Sequence, residues 1–120
     1  LRSANTKNYG TTQMTSTSDS SYQGLCNSLF EAARRRPKMF FLQLADLETL
    51  MHGHGLAFLQ LGLVDERSST FNHRFGAWLA ATRGRSVAAG WAIAIEELAR
   101  DEGLEAIGLF FELLEEFANF

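Results

Sequence analysis

The stretch L-E-A-I-G-L-F-F-E-L-L-E-E-F at residues 104–117 decides the fold, because it separates apolar from charged side chains with a helical period. Its apolar residues lie mostly three or four positions apart, which places them on one face of an α-helix. These inward residues are Ile107, Phe110, Phe111, Leu114 and Phe117. The residues predicted to face water are Glu105, Glu112, Glu115 and Glu116. The stretch therefore predicts an amphipathic helix that packs on other helices and turns its carboxylates to solvent.

Two more helices precede this one. Residues 71–82 repeat an aromatic stripe with helical spacing, and Ser69 or Thr70 is suited to cap the start while Gly84 ends the helix. The stripe consists of Phe71, Phe75, Trp78 and Leu79. The next stripe, after a possible cap at Ser86, consists of Val87, Trp91, Ala94, Ile95 and Leu98. A short turn at 101–103 then leads into the final helix.

The N-terminal half predicts two helices separated by the only proline. The first runs from Leu25 to the residues before Pro37, and a bend with extended chain follows, because proline disfavours the α conformation of its predecessor. Its stripe is Leu25, Leu29, Ala32 and Ala33, and Met39, Phe40 and Phe41 are predicted to enter the core after the bend. Residues 45–63 predict the second helix, on the stripe Leu47, Leu50, Met51, His54, Ala57, Phe58 and Leu61. The fold class is all-α, a compact bundle of about five helices with a disordered N-terminal arm.

Residues 1–24 are rich in Ser, Thr, Asn and Gly and show no apolar period, so we expect a flexible tail before a single helical domain at 25–120. Met14 is a candidate start, which would make residues 1–13 a leader that is not native. No apolar run approaches the ~20 residues of a spanning helix, and no export signal is visible. The single cysteine fits a reducing compartment. These features favour the cytoplasm.

The charges are segregated along the chain. Residues 1–85 hold ten bases and six acids, net +4, whereas residues 86–120 hold Arg100 as the only base and eight acids, net −7. This field is suited to steer a basic partner and to repel nucleic acid. The residues predicted to bind a partner are Asp101, Glu105, Glu112, Glu115 and Glu116, with Asp65 and Glu66 as outlying candidates.

Histidines and the cysteine are the candidates for chemistry. His52 and His54 stand in an H-G-H-G segment, but an i, i+2 pair points about 200° apart on a helix, whereas metal ligands on one face need i+3 or i+4. We expect one of the two to be partly buried and the other exposed. His73 would join them only through tertiary contact. Cys26 has no neighbouring catalytic motif, so a buried or half-buried thiol is expected. No catalytic residue, metal or cofactor is predicted.

The basic run Arg34–Lys38 has two interpretations. It is a short patch of the kind that contacts phosphate, and it also lies at a helix C-terminus, where the helix dipole favours cations. A bridge to the acidic last helix is a further alternative. The negative net charge favours the internal roles, and we expect no nucleic-acid or membrane partner.

Five segments resemble a group of small bacterial helical proteins. They are R-R-P-K-M-F at 35–40, L-x-x-L-M-H-G-H at 47–54, F-x-x-x-F-x-x-W at 71–78, G-W-x-x-x-I at 90–95 and F-F-E-L-L-E-E-F at 110–117. The group has an R-P-x-M-aromatic start and an F-F-x-L-L-x-x-F close, and some members are encoded among immunity genes of polymorphic toxins. Lys38 stands where that pattern has glycine, Phe40 where it has tyrosine, and His54 where it has an aromatic residue. The resemblance implies an immunity role.

These observations predict a non-catalytic immunity protein that binds a cognate toxin with a basic cleft and occludes its active site through the acidic surface. Two alternatives stay open. One is a small metal-dependent enzyme that uses His52, His54, His73 and a nearby carboxylate. The other is a structural or regulatory module that self-associates through exposed Phe and Leu of the last helix.

Overall fold

A computed structural model describes the backbone of residues 10–40 and 43–119, and the side chains of residues 22–39 and 43–119. Six α-helices follow one another: α1 (Gly10–Arg35), α2 (Pro37–Phe40), α3 (Leu44–Gln60), α4 (Phe71–Arg83), α5 (Trp91–Glu102) and α6 (Ala106–Ala118). A 3₁₀ turn, Arg67–Ser69, precedes α4. Within the described ranges no strand occurs, so the all-α prediction is confirmed. None of the described helices is both long and apolar enough to cross a membrane.

The first helix differs most from prediction. It begins at Gly10, so the segment 10–24, predicted as tail, is helical; the rest of that predicted tail, 1–9, lies outside the described residues. The buried stripe of α1 also differs from the predicted one, because Leu25 is 49% exposed while the larger Tyr22 and Phe30 are buried. The buried side chains of α1 are Tyr22, Cys26, Phe30 and Ala33. Two aromatic rings bury more apolar area than Leu25 and Leu29 would, and they set which face of α1 meets the core.

The chain bends at Arg36, as the proline predicts, but continues as the one-turn helix α2 instead of extended chain. Proline is well accepted as the first residue of a helix, where its missing N–H costs no hydrogen bond. Met39 is 71% exposed, so the prediction that it enters the core is wrong. The side chains of Phe40 and Phe41 lie outside the described ones.

Helix α3 starts with a capping box, in which the backbone N–H of Gln43 donates to the Asp46 carboxylate over 3.1 Å. Its buried face is narrower than predicted, because Leu50, Ala57 and Leu61 are exposed. The buried residues are Leu44, Leu47, Met51 and Gly55.

The C-terminal half matches the predicted stripes closely. Every member of the α4 stripe is buried, and Gly84 ends that helix with a left-handed backbone, as predicted. Helix α5 begins at Trp91 with Gly90 before it, so the predicted cap at Ser86 is wrong. In α6 the sequence missed Leu109 and Leu113, which are buried with Phe110 and Phe111.

The core is an aromatic cluster shared by α1, α4, α5 and α6. Phe75 of α4 lies 5.3 Å from Trp91 and 5.8 Å from Phe110, both in edge-to-face geometry, and Trp91 stacks on Phe110 at 5.1 Å. Such pairs contribute about 0.5–1.5 kcal/mol each beyond the area they bury. This cluster fixes α6 against α4, and thereby positions the acidic side of α6.

Candidate functional site

The eight acidic residues after position 86 lie on the surface. Seven of them are exposed and only Glu96 is half-buried. The predicted orientation of Glu105, Glu112, Glu115 and Glu116 toward water is therefore confirmed. Their side chains face away from the aromatic cluster that holds α6, so they are available to a partner.

Three of the predicted partner-binding residues come together in one open groove between α4 and α6. Glu112, Glu115 and Glu116 follow one another at i, i+3 and i+4, which places them on the same helix face. The groove has a volume of about 640 Å³ and is lined by Trp78, Thr82, Glu112, Glu115, Glu116 and Asn119. We call this the acidic groove.

Two of the acidic residues are engaged by arginines, Arg83 at the end of α4 and Arg85 in the α4–α5 connection. Arg83 Nη2 donates to both carboxylate oxygens of Glu116, over 2.8 and 2.9 Å. Arg85 forms an ion pair with Asp101 at the end of α5. Both pairs are well exposed, so each is worth only about 0–1 kcal/mol. Glu112 and Glu115 have no ion-pair partner among the described residues.

Trp78 forms the inner side of the acidic groove, a role that its place in the α4 stripe does not reveal. Its side chain is 7% exposed and lies against Phe75 at 5.8 Å and Phe117 at 5.5 Å. The indole Nε1–H donates to no acceptor in the described part of the chain. It is nevertheless open to solvent, because among the described side chains the only fully buried nitrogen or oxygen without a partner is His54 Nδ1.

The other predicted partner-binding residues do not join this groove. Glu105 is the residue before α6, and Asp101 lies in the last turn of α5. Asp65 and Glu66 lie in the α3–α4 connection, where the Glu66 carboxylate accepts a hydrogen bond from Ser68. The sequence thus predicted the negative charge of the groove and the helix that carries it. That Trp78 and Asn119 also line the groove depends on the fold and was not predicted.

The three histidines divide into two environments. His52 and His73 are exposed and line one pocket of about 260 Å³ together with Glu48. His54 points elsewhere, half-buried against Phe58 at 4.7 Å and Tyr22 at 5.7 Å. Burial lowers the pKa of His54. One partly buried and one exposed histidine is the predicted outcome for the H-G-H-G segment, and it is confirmed. No three His, Cys, Asp or Glu side chains in the described ranges are placed to hold a metal ion.

Cys26 is completely buried, as predicted for an inert thiol. Burial raises the pKa of this thiol, which disfavours the thiolate that nucleophilic chemistry requires. Its neighbour Tyr22 is buried too, and desolvation raises the pKa of the phenol to about 12. Both groups are therefore neutral parts of the α1–α4 contact at physiological pH.

The basic run makes internal contacts at its first residue. Arg34 pairs with Glu31 one turn earlier at 3.5 Å, and its guanidinium lies 4.7 Å from the centre of the Phe111 ring. The contact with the last helix therefore goes to an aromatic ring and not to a carboxylate. Arg35 and Arg36 are exposed at the end of α1.

Comparisons with protein-family models, with curated proteins and with solved structures find no match for this chain. The chemistry of the site must be inferred from its own residues. Unpaired carboxylates beside an open indole N–H are able to bind cationic and hydrogen-bonding groups.

Proposed function

We propose that this protein binds a basic protein partner through the acidic side of α6, and that the partner is a toxin domain whose active site it occludes. The protein then acts as an immunity protein and has no catalytic activity of its own. The resemblance of five segments to small bacterial immunity-associated proteins supports the class of partner. The charge of α6 supports the mode of binding.

The position of the acidic residues along α6 is the observation that carries the proposal. Glu115 and Glu116 lie in the last turns of a helix without any basic residue near its end, where the dipole disfavours anions by about 0.3–1 kcal/mol. Glu112 lies three and four residues before them, and like charges at this spacing also destabilise a helix. Of these three carboxylates only that of Glu116 has an ion-pair partner among the described residues, Arg83. Since these carboxylates lower the stability of the helix, stability does not account for them, whereas binding does.

The same arrangement favours a protein partner with a basic cleft. Complementary charge accelerates association and fixes the orientation of the partner. Toxins that act on nucleic acids or nucleotides need positive charge at their active sites, because their substrates carry phosphate. An acidic protein face that covers such a cleft would replace the substrate electrostatically and exclude it sterically.

Neither alternative gains support from the described residues. The three histidines do not converge, because His54 lies against Tyr22 and Phe58 while His52 and His73 line another pocket. The Phe, Leu and Ile side chains of α6 are buried or half-buried, so they offer little exposed surface for self-association. The apolar residues that are exposed, such as Leu61 and Leu104, lie outside this helix.

Co-expression with the toxin encoded beside the gene of this chain tests the proposal. We expect the chain to restore growth, and the E112K/E115K variant to protect poorly because both reversals lie in the acidic groove and break no ion pair. Glu97→Lys is the control, since it reverses an exposed charge outside the groove. Lack of a toxin gene, or equal protection by the parent and E112K/E115K, would contradict the proposal.

A further inference from the structure

The acidic groove offers two kinds of binding group side by side. Glu112 and Glu115 supply carboxylate oxygens without an ion-pair partner among the described residues. Trp78 supplies a hydrogen-bond donor that no described residue uses, on a side chain that is 93% buried, given its exposure of 7%. Trp78 lines the groove, and its N–H is not one of the fully buried unpartnered groups among the described side chains.

The Trp78 ring is not arranged to receive a cation on its face. Phe75 stacks on it with an interplanar angle of 19°, and Phe117 lies against it at 60°. Those contacts cover part of the ring, and the N–H is not fully buried. An indole N–H is only a donor, so its ligand must bring an acceptor.

The two carboxylates and the indole N–H together limit which ligands satisfy the whole groove. A Lys or Arg side chain satisfies the carboxylates but carries no acceptor for the indole N–H. A polyamine has the same shortcoming, and a nucleic acid brings acceptors but is repelled by the carboxylates. A polypeptide with basic side chains supplies both, because its main-chain carbonyls accept hydrogen bonds beside each charged side chain.

Arg83 shows that the Glu116 carboxylate at this groove binds a guanidinium. Its Nη2 bridges both oxygens of Glu116 from the α4 side. This contact occupies one of the three carboxylates and leaves the other two toward solvent. A second guanidinium or ammonium group therefore has a place beside the first.

We propose that the acidic groove binds a basic segment of the partner polypeptide, with a Lys or Arg side chain at Glu112 and Glu115 and a main-chain carbonyl at Trp78 Nε1–H. The identity of the partner as a toxin rests on the proposed function, whereas the peptide chemistry of the groove does not. Trp78 is then a binding residue as well as a core residue.

NMR of the ¹⁵N-labelled chain tests this directly, because its two tryptophans give two indole N–H signals. The probe is acetyl-Gly-Arg-Gly-Arg-Gly-amide, with the Glu analogue and spermine as controls. We expect the Arg peptide to move the Trp78 signal saturably. The Trp91 signal should stay in place, because its Nε1–H already donates to Asn72 over 2.9 Å. No movement of the Trp78 signal, or an equal movement with spermine or the Glu peptide, would overturn the proposal.

Variants of the carboxylates provide a readout that does not depend on replacing a core residue. E112Q/E115Q should weaken binding of the Arg peptide about tenfold, whereas Glu97→Gln, an exposed residue of α5 outside the groove, should leave it unchanged. Equal binding by E112Q/E115Q and the parent would contradict the site. Failure here is separable from failure of the proposed function. If toxin binding depends on Glu112 and Glu115 but the Trp78 signal does not respond to the Arg peptide, only the peptide site is overturned. If the Arg peptide binds but the toxin does not, only the proposed function is overturned.

Discussion

The hydroxyl of Tyr22 in α1 accepts a hydrogen bond from the backbone N–H of Phe71, the first residue of α4, over 2.7 Å. The first N–H groups of a helix have no partner within the helix. Thr70 precedes α4, as predicted, but its hydroxyl donates to the Arg67 carbonyl and accepts no hydrogen bond from the first turn of α4. A side chain 49 positions earlier therefore completes the start of α4.

Tyr22→Phe tests this contact. The substitution leaves the buried Phe71 N–H without an acceptor, and we expect it to lower the free energy of unfolding by about 1–3 kcal/mol. Urea denaturation followed by circular dichroism measures the change. Ser68→Ala removes a hydroxyl that bonds an exposed carboxylate and should change stability by less than about 0.5 kcal/mol. Equal stability of Tyr22→Phe and the parent would show that this bond is not needed.

A second polar link joins α3, α4 and α5. Asn72 donates from its side chain to the Glu48 carbonyl over 2.9 Å and accepts from Trp91 Nε1–H over 2.9 Å. Asn72→Ala should destabilise the fold by about 1–3 kcal/mol, because it leaves the nearly inaccessible indole N–H without a partner. In a protein that already carries Trp91→Phe, Asn72→Ala should lower the free energy of unfolding by a smaller amount. Denaturation of the parent, the two single variants and the double variant measures the coupling energy between Asn72 and Trp91. Strictly additive changes in the free energy of unfolding would argue against the link.

Gly90 lies against the carboxylate of Glu48 and has a positive φ, a backbone conformation that favours glycine. The Glu48 carboxylate accepts the Ala92 N–H over 3.0 Å, and a Cβ at position 90 would lie 2.5 Å from one of its oxygens. The backbone at Gly90 has φ of +100°, which L-residues rarely adopt.

We therefore expect Gly90→Ala to destabilise the protein by more than about 1 kcal/mol. Gly53→Ala is the matched control. It lies inside α3 with no atom within 4 Å of the added methyl group, so it should stabilise by about 0.5–1 kcal/mol. Thermal unfolding of both variants checks the opposite signs, and a stabilising Gly90→Ala would contradict the contact.

His54 should make stability depend on pH. Burial lowers its pKa in the folded state below the ordinary value of 6.5, so the unfolded state binds a proton more readily. Its stabilising contribution is complete above the ordinary pKa and is lost as pH falls through the folded pKa. The unfolding free energy should drop between about pH 7.5 and pH 5, and His54→Gln should reduce that drop. The same pH dependence in both proteins would contradict this assignment.

The parts of the fold that follow a local period could be predicted from the sequence. The stripe around Phe75 was correct because neighbours three or four residues away report the buried face, whereas the stripe around Phe110 was correct for Phe110 and Phe111 but missed Leu109 and Leu113. The bond from Tyr22 to Phe71 has no local signal, and the polar residues around Tyr22 led instead to a predicted tail. The cap that Glu48 gives α5 likewise spans 44 positions.

The acidic groove was predictable to the same extent. Glu112, Glu115 and Glu116 were identified because their spacing places them on one face of a helix. Trp78 was assigned to the core, which is correct, but its edge in the groove depends on how α4 and α6 pack. The pairing of Glu116 with Arg83 also depends on that packing, and it reduces the number of unpaired carboxylates in the groove to two.

The association rate constant with the toxin domain, measured by stopped flow at low and high salt, tests the central claim most directly. We expect the rate constant of the parent to fall with salt and that of E112K/E115K to be lower by at least about tenfold at low salt, because the attraction becomes repulsion. The rate constant of Glu97→Lys, which changes an exposed residue outside the groove, should stay close to that of the parent. Equal rate constants for E112K/E115K and the parent, without salt dependence, would show that the acidic groove is not where the partner binds.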